Sequence, residues 1–311
     1  MSSPKISVII PCFNGETFLA EAIDSVLQQT FVEYEVIVVD DGSTDSSSRI
    51  MKQYGSAINV VRQSNAGLSA ARNAGIAVSR GRFLAFLDSD DYWRQDFLEK
   101  MVTTIESSGA QLAYCGWQNV GLPGDRGKPY IPPDYENSQQ KLEFLFKNTC
   151  WPVHAAVIRR EIVEMIGGFD PKWRACEDFA FWLRAAIKNR IVLVPEVMAF
   201  YRFHGVGQMT NNRASIALNR FYAQQEYQVK FPEIVDKLND KLSDLTYGEL
   251  LRSGYECYWA RDLTSARKIF RQVMKVGYGE PRDWKYMLPS LFPLAVHTLL
   301  MKLISRRSTD G

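Results

Sequence analysis

Cysteines are scarce in this 311-residue chain, and their spacing excludes two kinds of site. There are five, an odd number, and none forms a CxxC pair; they are Cys12, Cys115, Cys150, Cys176 and Cys257. Zinc sites and disulfide frameworks need clustered or paired cysteines, so neither is expected. Scattered cysteines fit a reducing cytosol, and we expect a cytoplasmic protein.

An excess of charge of either sign is also missing. Lys and Arg number 37 against 35 Asp and Glu, so neither nucleic-acid binding nor an acidic solvating tail is expected. Residues 1–10 have neither a charged start nor an apolar run of signal-peptide length, so secretion is not expected. Hydrophobic residues make up 46% of the chain, enough for the core of one large domain, or of one large and one small domain.

Apolar runs and amphipathic stretches alternate through the first 115 residues. Residues 7–10 and 35–39 are short and rich in β-branched side chains, as are strands buried on both faces of a parallel sheet. Residues 18–27 between them carry apolar side chains at helical spacing. The alternation continues with strands at 59–62, 83–87 and 111–114 and helices at 46–54, 69–78 and 97–105. This pattern predicts an α/β domain, in which ligands bind at the carboxyl ends of the strands.

The second half of the chain is expected to complete this domain and then to become helical. Residues 121–137 are rich in Gly, Pro and Asp and predict a loop. From Ser215 onward the pattern is almost wholly helical, and residues 248–275 have the spacing of one helical hairpin. Before that point, helices are expected near 139–147, 159–166 and 178–189, and strands near 191–194 and 197–201. The expected division is a domain at 1–214, with halves at about 1–115 and 116–214, and a helical region at 215–311.

Residues 287–304 form a long apolar segment that is a poor candidate for a membrane span. Two prolines, a histidine and a lysine interrupt it. Aromatic residues precede it, and Arg306 and Arg307 follow it. One interpretation is an interfacial helix in peripheral contact with the inner face of the cytoplasmic membrane. The other is a helix packed on the main domain.

Polar residues directly follow the first two expected strands. The first strand runs into a turn that contains Pro11, Phe13 and Asn14. Its backbone N–H groups and aromatic face suit a flat base, although an ordinary strand-to-helix turn would also have these residues. The second strand ends in two aspartates, the second being Asp41, and adjacent carboxylates repel each other. Asp41 either accepts a hydrogen bond from a base or ribose, or belongs to the turn that caps the next helix.

Three acids, Asp88, Asp90 and Asp91, follow the apolar strand expected at 83–87. Carboxylates placed together in this way are costly unless a cation neutralises them. The i, i+2 spacing puts Asp88 and Asp90 on one side of an extended segment, and their oxygens suit Mg²⁺ or Mn²⁺, which would also hold a diphosphate. A solvated turn is the alternative; the apolar and aromatic flanks favour the metal.

Two further sets of charged residues lie at the starts of expected helices. Arg72 is on the first turns of the helix at 69–78, near the strand ends, where its planar fork suits phosphates or base edges. A surface arginine is the alternative. Glu177 and Asp178 begin a later helix, and acids in a first turn commonly stabilise the helix dipole.

Four segments, in this order and spacing, closely resemble family 2 glycosyltransferases of the GT-A fold. They are SVIIPCFNGETFLAEAIDSVLQQTF, VVDDGSTD, NAGLSAARNAGI and FLDSDDYW, and the resemblance covers about residues 5–205. It implies a Rossmann-like, nucleotide-sugar-binding α/β fold, with a mostly parallel sheet flanked by helices and a C-terminal helical appendage. It also implies that the half at about 1–115 binds the nucleotide and the half at about 116–214 binds the acceptor.

The resemblance implies roles for residues of the nucleotide-binding half. Phe13 and Asp41 would contact the base, and Arg72 would reach the base or the phosphates. Asp88 would hold the ribose or the metal shell, and Asp90 would bind Mn²⁺ or Mg²⁺ as the last acid of a DxD triplet. The residues expected at the nucleotide-sugar are Pro11, Phe13, Asn14, Asp41, Arg72, Asp88 and Ser89.

Two later segments imply the acceptor side. The sequence GGFD at 167–170, followed by Glu177-Asp178, resembles the family's GGFD segment and ED pair. This implies that Asp178 accepts the proton of the acceptor hydroxyl. The sequence YRFH at 201–204 resembles the family's closing segment, in which His204 would contact the metal or the diphosphate. A structural role is the alternative for His204.

The implied reaction is an inverting transfer of a sugar from a nucleoside-diphosphate sugar, with a UDP-sugar favoured, to an acceptor hydroxyl. The resemblance favours a growing cell-surface glycan or lipid-linked oligosaccharide as acceptor. A nucleotidyltransferase is one alternative, but its usual glycine-rich basic start is absent. A non-catalytic nucleotide-sugar-binding or scaffold protein is the other, and the intact Asp41, Asp88, Asp90 and Asp178 argue against it.

Overall fold

A computed structural model of the chain describes residues 3–204 and 212–299. Its contacts divide the chain into two compact units, Met1–Val206 and Gly207–Gly311. In the described residues the first unit combines a sheet with helices, and the second is helical. The prediction of an α/β region followed by a helical region is therefore confirmed.

The first unit alternates strands with helices in its first half and becomes less regular in its second. Its strands are β1 (Ile6–Cys12), β2 (Tyr34–Asp40), β3 (Asn59–Arg62), β4 (Phe83–Phe86), β5 (Tyr92–Trp93), β6 (Leu112–Val120), β7 (Pro129–Tyr130), β8 (Ala156–Arg159) and β9 (Ile191–Arg202). Its helices are α1 (Leu19–Leu27), α2 (Ser47–Gln53), α3 (Leu68–Val78), α4 (Phe97–Ser108), α5 (Lys141–Lys147), α6 (Arg160–Ile166) and α7 (Glu177–Ala186).

The strands form one mixed sheet in the order β3-β2-β1-β4-β8-β6-β9-β5, with β7 paired to β6. The neighbours of β1, which are β2 and β4, run parallel to it, as β3 does to β2, because helices connect these strands. Strand β8 runs antiparallel to both β4 and β6. The carboxyl ends of β2, β1 and β4 therefore lie side by side at one edge of the sheet.

Short and irregular strands are where the structure departs from the sequence pattern. Strands β5 and β8 were not predicted, and β7 lies inside the segment predicted as a loop. The strands expected at 191–194 and 197–201 are one strand, β9, whose register against β6 shifts beside Gly116. Pro195 falls at this irregularity, where a strand tolerates the missing N–H.

Helix α3 packs closely on the sheet because its sequence is rich in small residues. A Cβ added at Gly75 would lie 2.5 Å from a side-chain carbon of Ile9 on β1. Ala71 and Gly75 are buried on the same face of the helix. This close approach places the first turns of α3, which carry Arg72, beside the carboxyl ends of β1 and β4.

The second unit has its own core. Its helices are α8 (Arg213–Lys230), α9 (Pro232–Val235), α10 (Lys241–Ser243), α11 (Glu249–Trp259), α12 (Leu263–Lys275) and α13 (Pro281–Met287). Helices α11 and α12 form the predicted hairpin, and they cross so closely that a Cβ at Gly254 would lie 2.6 Å from the Phe270 ring. The Asp262 carboxylate caps α12 by accepting a hydrogen bond from Ser265 N. No helix within residues 3–204 and 212–299 is long and apolar enough to cross a membrane.

The predicted interfacial segment at 287–304 lies only partly within the described residues. Residues 294–299 are helical. Residues 300–304, and Arg306 and Arg307 beyond them, lie outside the described ranges.

Candidate active site

The turns that follow β1 and β2 are joined to each other by hydrogen bonds. Asn14 has a φ of 53°, a left-handed conformation that asparagine tolerates better than most residues. Its Oδ1 accepts a hydrogen bond from Thr44 N at 2.8 Å, and its N–H donates to Ser43 Oγ at 3.1 Å. Glu16 N donates to an Asp45 carboxylate oxygen at 3.0 Å. The two turns thus form one rigid edge of polar groups.

Phe13, Pro11 and Ser89 lie at this edge in different environments. The Phe13 side chain is half exposed, which leaves its ring free to stack on a flat ligand. Pro11 is buried in β1 opposite Val39 of β2. Ser89 reaches the β1 turn, since a Cβ at Gly15 would lie 3.1 Å from its Oγ. The residues predicted after β1 and β4 are therefore neighbours.

Asp41 is buried and holds the loop that leads into α3. One of its carboxylate oxygens accepts hydrogen bonds from Gln63 Nε2 at 2.7 Å and from Ala66 N at 2.9 Å. The other accepts one from Gly67 N at 2.9 Å. Carboxylate oxygens have about four acceptor sites in total, so Asp41 can also accept a bond from a ligand. Its predicted contact with the base remains a prediction.

Arg72 joins the acids that follow β4 to those that begin α7. Its side chain is 1% exposed. One terminal nitrogen donates to Asp88 Oδ1 at 2.6 Å, and the other donates to Glu177 Oε1 at 2.9 Å. The guanidinium also lies over the Phe169 ring of the GGFD segment, 5.0 Å from its centroid. The turn after β4, the GGFD segment and the start of α7 therefore meet at one buried cation.

Asp178 lies next to this junction, on the first turn of α7. Its Oδ1 accepts a hydrogen bond from Phe179 N at 2.7 Å. Burial raises the pKa of Asp178 to about 7, and the adjacent charge of Glu177 contributes to the rise. A carboxyl group with this pKa is well matched to general-base catalysis near neutral pH.

Tyr201 on β9 shows that the predicted acids converge. Its pKa is raised first by burial and then by the charges of Asp91, Asp88, Asp90 and Asp178. Charges act on a buried phenol in this way only when they are close to it. The acids after β4 and the acid on α7 therefore lie near this one side chain.

Asp90 and His204 face each other. His204 Nε2 lies 3.0 Å from Asp90 Oδ2, and both side chains are partly exposed. The Arg202 side chain holds the Asp90 backbone in place, because its Nε donates a hydrogen bond to the Asp90 carbonyl oxygen at 3.0 Å. The pair offers a solvent-accessible oxygen and nitrogen close together.

These donors fit a divalent metal that is bound jointly with a diphosphate. Within the described ranges, no group of three or more His, Cys, Asp and Glu side chains is arranged to hold a metal alone. Mg²⁺ in phosphate sites is commonly held by one or two protein ligands, with substrate oxygens and water completing the shell. Asp90 and His204 can supply two such ligands. Asp88, also predicted as a ligand, has one oxygen engaged by Arg72.

Asp91 and His154 form a buried pair whose role the sequence did not assign. His154 Nδ1 lies 3.0 Å from Asp91 Oδ2, and both side chains are at most 1% exposed. Burial raises the pKa of Asp91 to about 6. Burial alone would lower the pKa of His154, but the Asp91 carboxylate outweighs it and the pKa is raised. Asp91 Oδ1 also accepts a hydrogen bond from Arg202 N at 2.8 Å, so the pair supports the end of β9, two residues before His204.

Glu177 is a third residue whose role the sequence does not assign. Its position in the first turn of a helix predicts a role in stabilising the helix dipole, whereas in the structure its carboxylate is a partner of Arg72. The signal was available in part, because an arginine on a helix of small, buried residues needs a countercharge. Which acid supplies it depends on tertiary contacts.

Two comparisons by sequence find glycosyltransferases. The profile of the family described as "Glycosyl transferase family 2" matches residues 7–167. The uncharacterized glycosyltransferase EpsJ of Bacillus subtilis is 32% identical over 73% of this chain and 69% of its own length. TuaG of the same organism, assigned provisionally to teichuronic acid biosynthesis, is 31% identical over 74% of this chain and 88% of its own length.

Solved structures share the fold at low sequence identity. Staphylococcus aureus TarS matches with a TM-score of 0.57 and 19% identity over 85% of this chain, which spans about half (54%) of the TarS chain. Its fragment 1–349 in complex with UDP-GlcNAc matches 99% of this chain and 92% of the fragment, with a TM-score of 0.58. A mannosyltransferase from Pyrobaculum calidifontis, solved with GDP-Man and Mn²⁺, has a TM-score of 0.60 and 19% identity and covers 96% of this chain and 87% of its own.

Proposed function

The chain belongs to glycosyl transferase family 2 and has a GT-A-like fold, and from this we propose that it is an inverting enzyme that moves a sugar from a nucleoside-diphosphate sugar to an acceptor hydroxyl. The observation that carries the proposal is the Arg72 junction. Arg72 fixes Asp88 on one side and Glu177 on the other, and Asp178 adjoins Glu177. This junction supports the proposal because it links Asp88, predicted to bind the donor, to the start of the helix that carries the predicted base.

The donor is proposed to bind at the edge formed by the turns after β1, β2 and β4. The exposed Phe13 ring would stack on the base, and the remaining acceptor capacity of Asp41 would bind its N–H groups. Asp88 and Ser89 would then contact the ribose or the sugar. A UDP-sugar is the favoured donor, and the TarS fragment supports it, since that protein was solved with UDP-GlcNAc.

The reaction is proposed as a single displacement at the anomeric carbon. The acceptor hydroxyl attacks from the side opposite the diphosphate, so the new bond forms as the bond to the diphosphate oxygen breaks and the configuration inverts. Asp178 takes the hydroxyl proton. Its pKa of about 7 leaves much of it ionised near neutral pH and makes it a stronger base than an ordinary aspartate.

Mn²⁺ or Mg²⁺ is proposed as cofactor, held by Asp90 and His204. The metal would supply charge neutralisation for the departing diphosphate. Asp90 would contribute the hard oxygen ligand, and His204, which lies 3.0 Å from it, would contribute a nitrogen ligand. Asp91 anchors the end of β9, two residues before His204, by accepting a hydrogen bond from Arg202 N. The Mn²⁺ in the mannosyltransferase structure supports this choice.

The acceptor is proposed to be a growing cell-surface glycan or a lipid-linked oligosaccharide. The similarity to TuaG supports this class. A nucleotidyltransferase would release pyrophosphate and a scaffold protein would release nothing, so the product identifies the reaction. Release of a nucleoside diphosphate from a nucleotide-sugar, together with a glycosylated acceptor, is the expected outcome.

We expect UDP to stabilise the protein only when Mn²⁺ is present. A ligand at about 100 times its Kd stabilises the native state by about 2.7 kcal/mol, which raises the Tm by several degrees for a chain of this size. Thermal melts with UDP, GDP, dTDP and CDP, each with and without Mn²⁺, measure this. If GDP stabilises the protein with Mn²⁺ and UDP does not, the proposed metal site stands and the proposed donor changes to a GDP-sugar.

The Asp90→Asn variant tests the metal site in the same assay. It keeps the side-chain shape but removes the charge, so the Mn²⁺-dependent shift should disappear. Asp125→Asn, at an exposed carboxylate in the 3-10 turn before β7, is the matched control and should keep the full shift. If UDP stabilises the protein equally well without metal, the proposed metal site is wrong.

A further inference from the structure

The second unit has an apolar surface that its own core does not cover. Between α13 and residue 299, large apolar side chains are 40–59% exposed; they are Leu288, Leu291, Phe292, Leu294, Val296 and Leu299. Monomeric proteins rarely leave large apolar side chains grouped in this way, and such patches mark interaction sites. We call these six residues the apolar face.

The apolar face is fastened through its backbone and not through its large side chains. Arg271 donates hydrogen bonds to Ser290 O at 2.8 Å and to Leu291 O at 3.2 Å, and Arg267 donates to Phe292 O. The residues that point inward are small or polar, and His297 is fully buried. The segment is thus held in place with its large apolar side chains turned outward.

Positive charge accompanies the apolar face. Helix α12, whose arginines fasten the segment, carries four basic residues and no acidic one; they are Arg267, Lys268, Arg271 and Lys275. Arg267 and Arg271 are four residues apart on α12, so the two cations lie on the same side of the helix. Residues 286–301 contain no charged side chain at all. An uncharged apolar strip beside a cationic helix complements an anionic, apolar partner.

We infer that the apolar face inserts into the surface of a bilayer that contains anionic phospholipids, with α12 next to the headgroups. Leu, Phe and Val side chains enter the acyl boundary to a depth of about 5–10 Å, while Lys and Arg side chains bind phosphates. A second copy of the chain fits less well, because a symmetric contact would bring two cationic α12 helices together.

This inference rests on the proposed function in one respect, which is that a lipid-linked acceptor would give membrane binding a purpose. Binding at the membrane surface would hold the enzyme where such an acceptor lies. The experiment below measures lipid binding without sugar transfer, so either proposal can fail while the other stands.

The test is co-sedimentation of the full chain with vesicles. One set contains phosphatidylcholine alone, and the other also contains about 30% phosphatidylglycerol. We expect pelleting with the anionic vesicles, and loss of pelleting at about 0.5 M NaCl, because salt screens the headgroup attraction. The double variant Leu291→Asp/Phe292→Asp should weaken binding to the anionic vesicles by about tenfold or more, since it removes two exposed apolar side chains that would enter the bilayer.

Val229→Asp is the matched control, because Val229 is 85% exposed on α8 of the same unit and is not part of the apolar face. It should bind vesicles as the unchanged chain does. The inference is overturned if the unchanged chain stays in the supernatant with both vesicle types. It is also overturned if size-exclusion chromatography shows a dimer that Leu291→Asp/Phe292→Asp converts to a monomer, because the apolar face is then a contact between copies.

Discussion

Replacing Asp178 by asparagine is expected to lower turnover by about 10²–10⁴-fold, the range attributed to a positioned general base. Asparagine has the same shape but cannot take the proton of the acceptor hydroxyl. Nucleotide binding should be nearly unchanged, because the donor is proposed to bind at the turns after β1, β2 and β4. Initial rates of nucleoside-diphosphate release, together with UDP-dependent thermal shifts, separate the two effects.

Stability provides the control for this variant. The raised pKa of Asp178 means that its charged form is the one that the fold disfavours. Its contribution to stability is therefore present at low pH and is lost as the pH rises through about 7. At pH 8, Asp178→Asn should melt no lower than the unchanged chain, so a fall in turnover cannot be ascribed to unfolding. Near-normal turnover would show that Asp178 is not the base.

The pH profile of the unchanged enzyme is expected to report the same group. The base must be ionised to act, so kcat/KM should fall about tenfold for each pH unit below about 7 and level off above it. An aspartate with its ordinary pKa would give a level profile down to about pH 4. A measured profile that is level between pH 5 and 8 would contradict the assignment.

The parts of the fold that could be predicted are those in which a short segment by itself determines its secondary structure. Strands β1 and β2 are buried along most of their length, so their β-branched runs identify them without further context. The two-residue β5 is too short to show a periodicity. Strand β8 depends on its pairing with β4 and β6, which is a tertiary contact. The mixed second half of the sheet therefore required the structure.

The residues of the site likewise divide into those that the sequence predicts and those that only the structure shows. The acids Asp41, Asp88, Asp90 and Asp178 could be located because each follows a recognisable strand or begins a helix. Their partners could not, since Arg72 and Glu177 are 105 positions apart and meet only in the folded chain. The pair of Asp91 and His154 is likewise a tertiary contact, and a lone histidine gives no signal in the sequence.

The Arg72→Met variant is expected to destabilise the first unit by about 3–5 kcal/mol, the range for breaking a buried ion pair from one side. Methionine fills much of the same volume, but it leaves Asp88 and the buried Glu177 without their shared cation. Arg72→Lys should recover only part of the loss, because one ammonium group cannot reproduce the planar fork that spans both carboxylates. The midpoint of urea unfolding measures the change.

Arg82→Met is the matched control, since Arg82 pairs with Glu106 at the surface, where such pairs contribute about 0–1 kcal/mol. Adding Glu177→Gln to Arg72→Met should restore part of the stability, because it removes one of the two unpaired charges. A loss no larger than that of Arg82→Met would mean that Arg72 does not hold Asp88 and Glu177 together. If Arg72→Lys were fully stable but no longer bound UDP, Arg72 would instead be a direct ligand of the nucleotide, as the family resemblance implies.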